Sequence, residues 1–289
     1  MDLAFSDAHL HSNPIRGLGS RTIARKFKAR GGWFLSLVSL SPWAYKIDIT
    51  GYESYLKIVD IHVKECSNAA EEGLQVACFS GFHPADVDRL IDKYQIPGEK
   101  VLELGLKVIE YIGNLCREQL LTGIGEVGRQ HYKTSADRVM IAELILEKAL
   151  EYLVDYNCIV QMHLEHVGPI TVDLVDRVAK RVNLRERHMG RLIFHHSKPI
   201  TSLEAYKRGY SSTIPGTNRL LGYVFSSLDP FYLLESDYID DPSRPGIALY
   251  PWSMIDAQIK FYKEGLVSEE YLYRINVDNI ERIFEVSKS

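Results

Sequence analysis

Cysteine is scarce: Cys66, Cys78, Cys116 and Cys158 are the only four in 289 residues, and no two form a C-x-x-C pair. That scatter argues against a cysteine metal site, and their apolar or helical surroundings predict separate buried thiols in a reducing compartment. Long apolar runs are missing too. No stretch approaches the ~20 residues that span a bilayer, and the N-terminus lacks a charged segment followed by an apolar one. A cytoplasmic protein with no membrane partner is expected. Charge of either sign is barely in excess: the formal net charge is −4. The chain as a whole therefore does not advertise nucleic-acid binding, and any such activity must come from a local site. Repeats of solenoid size and low-complexity segments are absent as well.

What is present is the composition of a folded domain, with 46% hydrophobic and 25% charged residues. The length suits one α/β barrel, so residues 1–289 are read as a single domain. Eight short apolar runs recur as candidate strands: Leu3–Phe5, Trp33–Leu40, Leu74–Phe79, Leu121–Ile124, Cys158–Met162, Arg191–Phe194, Tyr210–Ile214 and Phe231–Leu234. Longer segments with helical periodicity separate them. In Tyr52–Ala70, for example, Leu56, Val59, Val63 and Cys66 share one face, and Leu146, Ala149, Leu150 and Leu153 repeat the pattern in Glu143–Tyr156. Turns at Ser41–Pro42, Pro97–Gly98, Gly168–Pro169 and Pro242–Gly246 fall between elements and none reads as a linker. Strand and helix alternating eight times predicts a (β/α)8 TIM barrel.

Polar residues gather just past these runs. Asp7, His9 and His11 follow the first, Glu126 the fourth, His163 the fifth, His195 and His196 the sixth, and Asp237 the eighth. Strand C-termini of a barrel converge on one mouth, where imidazoles and carboxylates remote in sequence can surround a cation. The alternate spacing of His9 and His11 puts both rings on one side of an extended segment. Asp7 is read as orienting a ligand imidazole. Gly-Ile-Gly-Glu-Val-Gly at 123–128 has dinucleotide-loop spacing, yet it carries a carboxylate where phosphates would sit. Its glycines are read as making room for Glu126 to bridge two ions. In Gln161-Met162-His163-Leu164-Glu165-His166, His163 is the expected ligand, with His166 facing solvent or substrate. His195 and His196 are adjacent and point to opposite sides, so one of them ligates. Asp237 either binds metal or takes a proton from the attacking water.

The constellation resembles the TatD-like metal-dependent hydrolases of the amidohydrolase superfamily. Asp7-Ala8-His9-Leu10-His11 looks like the opening D-x-H-x-H, Gly81-Phe82-His83-Pro84 like G-x-H-P, Gly125-Glu126-Val127-Gly128 like G-E-x-G, and Glu235-Ser236-Asp237 like E-T-D. Asn279-Ile280-Glu281-Arg282-Ile283-Phe284 is similar to the family's closing helix. The resemblance implies one metal at His9, His11, Glu126 and Asp237, and a second at Glu126, His163 and one histidine of the sixth strand. In archaeal-type relatives a glycine comes thirteen positions after that ligand, and Gly209 stands thirteen after His196. His196 is therefore favoured, although the bacterial F-H-C-F pattern would align His195. Three stretches depart from the family: Arg129-Gln130 replaces Leu-Asp, Leu164-Glu165-His166 follows the fifth-strand histidine, and His196-Ser197-Lys198-Pro199 replaces H-C-F-x-G. The metal shell survives while the substrate shell has changed.

The resemblance implies one or two divalent cations (zinc, magnesium or manganese) as cofactors. Asp237 and Glu126 are the expected catalytic carboxylates, and His83 and Arg129 the expected contacts to an anionic substrate. The leading expectation is a phosphodiesterase or deoxyribonuclease whose partner is DNA, with Arg21, Arg25, Lys26, Lys28 and Arg30 contacting phosphates. A hydrolase of a small amide, lactone or phosphate ester is a second reading. A catalytically idle metal-binding or interaction protein is a third.

Overall fold

The computed structural model describes residues 3–49, 51–243 and 249–288, so the end of the Pro242–Gly246 turn lies outside the described residues. Nine strands follow in chain order: β1 Phe5–His11, β2 Gly32–Val38, β3 Gln75–Ser80, β4 Gly123–Gly128, β5 Ile159–His163, β6 Leu192–Phe194, β7 Ser211–Pro215, β8 Leu233–Glu235 and β9 Tyr238–Ile239. Every pairing is parallel, and the order runs β8-β7-β6-β5-β4-β3-β2-β1-β9. β9 continues two residues beyond β8 and pairs with β1, so the sheet curls back on itself into a (β/α)8 barrel. The eight expected strands are all present. The expected limits of β1 and β4 stop short, because both strands run on through Asp7–His11 and through Glu126.

Two β-bulges decide where the side chains at the mouth point. Between Asp7 and Leu10 the chain takes three steps while β2 takes two, from Leu35 to Leu37. Ala8 belongs to the inner apolar cluster with Phe34, Phe79, Ile159 and Ile193. The extra residue inverts the alternation beyond it, so His9 and His11 also turn inwards. β4 repeats the device, with Ile124 to Val127 set against Val160 to Met162, and Glu126 lies within the irregular step. Glycine permits this close approach. A Cβ at Gly123 would stand 2.1 Å from the carbonyl oxygen of Ile159, and one at Gly128 would stand 2.1 Å from that of His163.

The opposite end of the barrel is stoppered by the C-terminal segment. Ile280, Ile283 and Phe284 join the inner cluster, and the Phe284 ring lies 4.7 Å from Phe34. Asn279 donates from Nδ2 to the carbonyls of Pro230 (2.9 Å) and Tyr232 (3.0 Å), at the entry to β8. Asn276 accepts the Ser6 amide at 3.1 Å and donates to Gln258 Oε1 at 2.8 Å. The outer helices cover the other face of the strands, so strand residues are buried on both sides.

The cysteines correct an expectation. They form two disulfides, Cys66–Cys78 and Cys116–Cys158, rather than four separate thiols. Helix Tyr52–Ala70 packs across β3 and helix Gly98–Arg117 packs near the start of β5, which brings the paired Cα atoms to 5.9 and 6.2 Å. Among the described residues no helix is long and apolar enough to cross a membrane.

Candidate metal centre

The mouth of the barrel is a cleft of about 490 Å³ lined by His11, His83, Glu126, His163, His195 and Asp237, among others. Glu126 sits at its middle. Its Oε1 lies 2.9 Å from His163 Nδ1 and 3.2 Å from His195 Nε2. Its Oε2 lies 3.6 Å from His11 Nε2, 4.0 Å from His9 Nε2 and 3.9 Å from His83 Nε2. Burial opposes its charge, but the surrounding imidazoles, His83 and His195 first, hold the carboxyl well below its ordinary range. Asp237 completes the ring, with Oδ1 3.7 Å from His11 Nε2 and Oδ2 2.9 Å from His196 Nδ1. Burial is again outweighed, here by the nearby His11 ring and the hydrogen bond from His196, and the Asp237 carboxyl is also held well down.

Three imidazoles have the ring nitrogen that faces away from the centre occupied. His9 Nδ1 meets Gln161 Oε1 at 2.5 Å, while the Gln161 amide nitrogen donates to Ser36 Oγ and the Ala8 carbonyl. His11 Nδ1 donates to the Val38 carbonyl at 2.9 Å. His195 Nδ1 donates to Glu235 Oε2 at 2.8 Å, and Glu235 also accepts from Thr213 Oγ1. These partners occupy each Nδ1 and leave each Nε2 aimed at the centre, where it can bind a cation once any proton there is released. His9 Nε2 and His11 Nε2 stand 3.3 Å apart. Two lone pairs at that range repel unless a proton or a cation lies between them. Burial draws the His9 pKa down to about 3, whereas Asp237 and Glu126 outweigh burial at His11 and raise its pKa, so without a cation the proton between the two rings belongs to His11. Donor atoms sharing one ion at ~2.1 Å lie roughly 3.0–3.4 Å apart, the edge of an octahedron or tetrahedron. The residues present fit a divalent cation.

The adjacent histidines part as their spacing predicts. His195 stacks on His9 at 3.6 Å between ring centroids and is buried, whereas His196 is half exposed and rests on Asp237. Asp7 also departs from expectation. Its Oδ1 accepts the backbone amides of Ser236 (2.9 Å) and His9 (3.3 Å), so it ties β1 to the end of β8 instead of orienting an imidazole. Burial raises its pKa to about 7.

Arg129 is not available to an anionic substrate. It is buried against Glu165 in a two-pronged pair (2.9 and 2.8 Å) and meets Glu143 at 3.2 Å. His83 does face the cleft. Its Nδ1 accepts the Ala85 amide at 3.0 Å, which places the proton of the neutral ring on Nε2, the nitrogen turned towards Glu126. His83 is thus a donor rather than a ligand. The basic segment after β1 is consumed internally as well: Arg21 pairs with Glu71 and Glu72, Arg25 with Glu72, and Arg30 with Asp256. Lys26 lies over the Trp252 ring.

Sequence reasoning missed Gln161, Glu235 and His131. Gln161 is two residues before His163 on β5 and Glu235 two before Asp237, so period-two alternation was the available signal. His131, whose Nδ1 is 2.6 Å from His163 Nε2, comes from an irregular loop and carries no such signal.

Residues 6–285 match the family model described as TatD related DNase. The chain belongs to the TatD related DNase family. An uncharacterised protein of Methanocaldococcus jannaschii is 28% identical over 98% of this chain and 96% of its own length. Among solved structures, a TatD-like protein from Archaeoglobus fulgidus covers 98% of this chain and 100% of its own, at 14% identity and a TM-score of 0.63. An organophosphorus hydrolase variant from Deinococcus radiodurans covers 98% and 93%, at 14% identity and a TM-score of 0.61. At those identities the two solved structures speak for the barrel fold alone, and the family match speaks for a hydrolase.

Proposed function

We propose that this TatD-family chain is a divalent-metal-dependent phosphodiesterase acting on DNA. The facing Nε2 atoms of His9 and His11, 3.3 Å apart beside the Glu126 and Asp237 carboxylates, are the observation that carries the reading. One ion would be held by His9, His11, Glu126 and Asp237, and a second by Glu126, His163 and His195. Bound there, such ions make water more acidic and offset charge on the attacked phosphoryl group.

The chain's own residues do the rest. Asp237, a quarter exposed, reaches into the cleft and accepts the proton of the attacking water. His196, 2.9 Å away and open to solvent, leads that proton out. His83 offers its Nε2–H to an oxygen of the phosphate. Gln161, the Val38 carbonyl and Glu235 hold the ligand rings in place, so little reorganisation accompanies the chemistry. The test is hydrolysis of bis(4-nitrophenyl) phosphate and of a labelled oligodeoxynucleotide by protein purified without chelators. Turnover that vanishes on chelation and returns with zinc, magnesium or manganese supports the reading. Turnover on lactones or amides but on neither phosphodiester would refute it.

A further inference from the structure

A second groove opens beside the metal cleft. It encloses about 620 Å³ between the helices Pro199–Lys207 and Asn218–Ser227 and shares His166 and His196 with the cleft. Lys198 and Arg219 stand on its walls with Ile200 and Tyr223, and the lining contains no aspartate or glutamate. Neither helix carries an acidic residue in its first turn. Among the described residues, Lys198 and Arg219 form no ion pair. The neighbouring cations differ: Arg208 is held by Asp173, Asp176 and Glu204, and Arg181 by Glu143 and Glu147. Tyr223 is 56% and Ile200 59% exposed, which leaves a flat apolar surface next to two free charges.

The pocket on the other flank of the mouth is lined differently. Among the described residues Asp240 and Asp241 line it with a single lysine, Lys26, which lies over Trp252; Asp240 accepts the amides of Asn13, Leu18 and Gly19, and Asp241 stands 3.5 Å from Arg16. A polyanion seated at the metal centre is drawn to Lys198 and Arg219 on the β6–β7 side.

We infer that the Lys198–Arg219 groove is a nucleotide subsite, in which the two cations hold the phosphate next to the scissile one and Tyr223 stacks against its base. The inference rests on the phosphodiesterase reading, which it deepens by saying where the rest of the substrate lies. Exposed aromatic rings beside paired-off phosphates are how bases without a partner strand are commonly gripped.

The test measures binding of a fluorescent, phosphorothioate-linked oligothymidylate, which keeps its charge but resists cleavage, to the purified full-length chain. Replacing both cations, Lys198→Ala with Arg219→Ala, is expected to weaken binding on the order of tenfold and to lower the salt slope by about 1.4, two contacts at ~0.7 each. Tyr223→Ala should weaken it by a similar factor without changing the slope. An Arg21→Ala, Arg25→Ala chain carries the same charge change elsewhere and should bind like the parent. Equal losses in both double variants, or no binding by the parent, would overturn the subsite. Hydrolysis of bis(4-nitrophenyl) phosphate separates the two ideas: the groove variants should retain it. Its absence in the parent would sink the phosphodiesterase reading, while the binding contrast would still decide the groove.

Discussion

His9 and His11 direct their Nε2 atoms at each other across 3.3 Å, and both rings are pinned from behind, one by Gln161 and the other by the Val38 carbonyl. The contact makes sense as two edges of one coordination shell. Gln161→Leu should therefore act on metal affinity although Gln161 touches no metal. Loss of such a supporting hydrogen bond typically costs 10–100-fold in affinity. Titration of zinc into the chelator-stripped variant checks it, and unchanged affinity would assign Gln161 to packing alone.

His195 and His196 should separate cleanly. His195→Ala removes a donor whose Nε2 is 3.2 Å from Glu126, so metal content should fall. His196→Ala should keep its metal and lose turnover, because this ring serves Asp237. Metal analysis of both variants decides between them, and the reverse pattern would make His196 the ligand.

Asp237→Asn keeps the shape and one oxygen but removes the basic charge. Turnover should fall on the order of 10²-fold or more with only a modest loss of metal. Glu126→Gln should lose metal and rate together, because its two oxygens face different histidines. Near-native turnover by Asp237→Asn at full metal occupancy would make Asp237 a bystander.

Much of this was legible in the sequence, and the gaps have physical causes. Period-two spacing announced His9 with His11, and its place just past the fourth apolar run announced Glu126, because barrel geometry converts strand ends into a common mouth. Register was less legible: bulges in β1 and β4 shift which residues face inwards, and a bulge leaves no composition signature. His195 against His196 depended on that same local geometry. The disulfides escaped because helices bring together cysteines that lie 12 and 42 residues apart. Arg129 and the Arg21–Arg30 segment looked available because their partners, Glu165, Glu72 and Asp256, are remote in the chain.

His62 gives the fold a pH dependence of its own. It is buried, with Nε2 3.2 Å from the Leu37 carbonyl, and burial draws its pKa from 6.5 down to about 4. Above pH 6.5 the ring is neutral folded or unfolded and has no effect. Below it, the unfolded chain takes a proton that the folded chain refuses, so stability falls between about pH 6.5 and pH 4 by roughly 3 kcal/mol and then levels off. Urea unfolding of the parent and of His62→Leu, at pH 7 and pH 4, should show the parent losing more by that amount. Equal losses would contradict the assignment.

Asn279 should matter for stability and not for chemistry. Its side chain satisfies two carbonyls at the closed end of the barrel, far from the mouth. Asn279→Ala leaves both unpaired, at a cost of about 1–3 kcal/mol. Thermal unfolding should register the loss while turnover per folded molecule stays the same, and a fall in turnover at equal folding would show that the stopper end reaches the site.

The central claim is that the histidines and carboxylates at the mouth hold divalent metal, and equilibrium dialysis against zinc or manganese measures it directly. Chelator-stripped protein should take up two ions per chain, Glu126→Gln fewer than the parent, and His11→Ala one fewer. Uptake by the parent no greater than that of a His9→Ala, His11→Ala, Glu126→Gln variant would contradict the account.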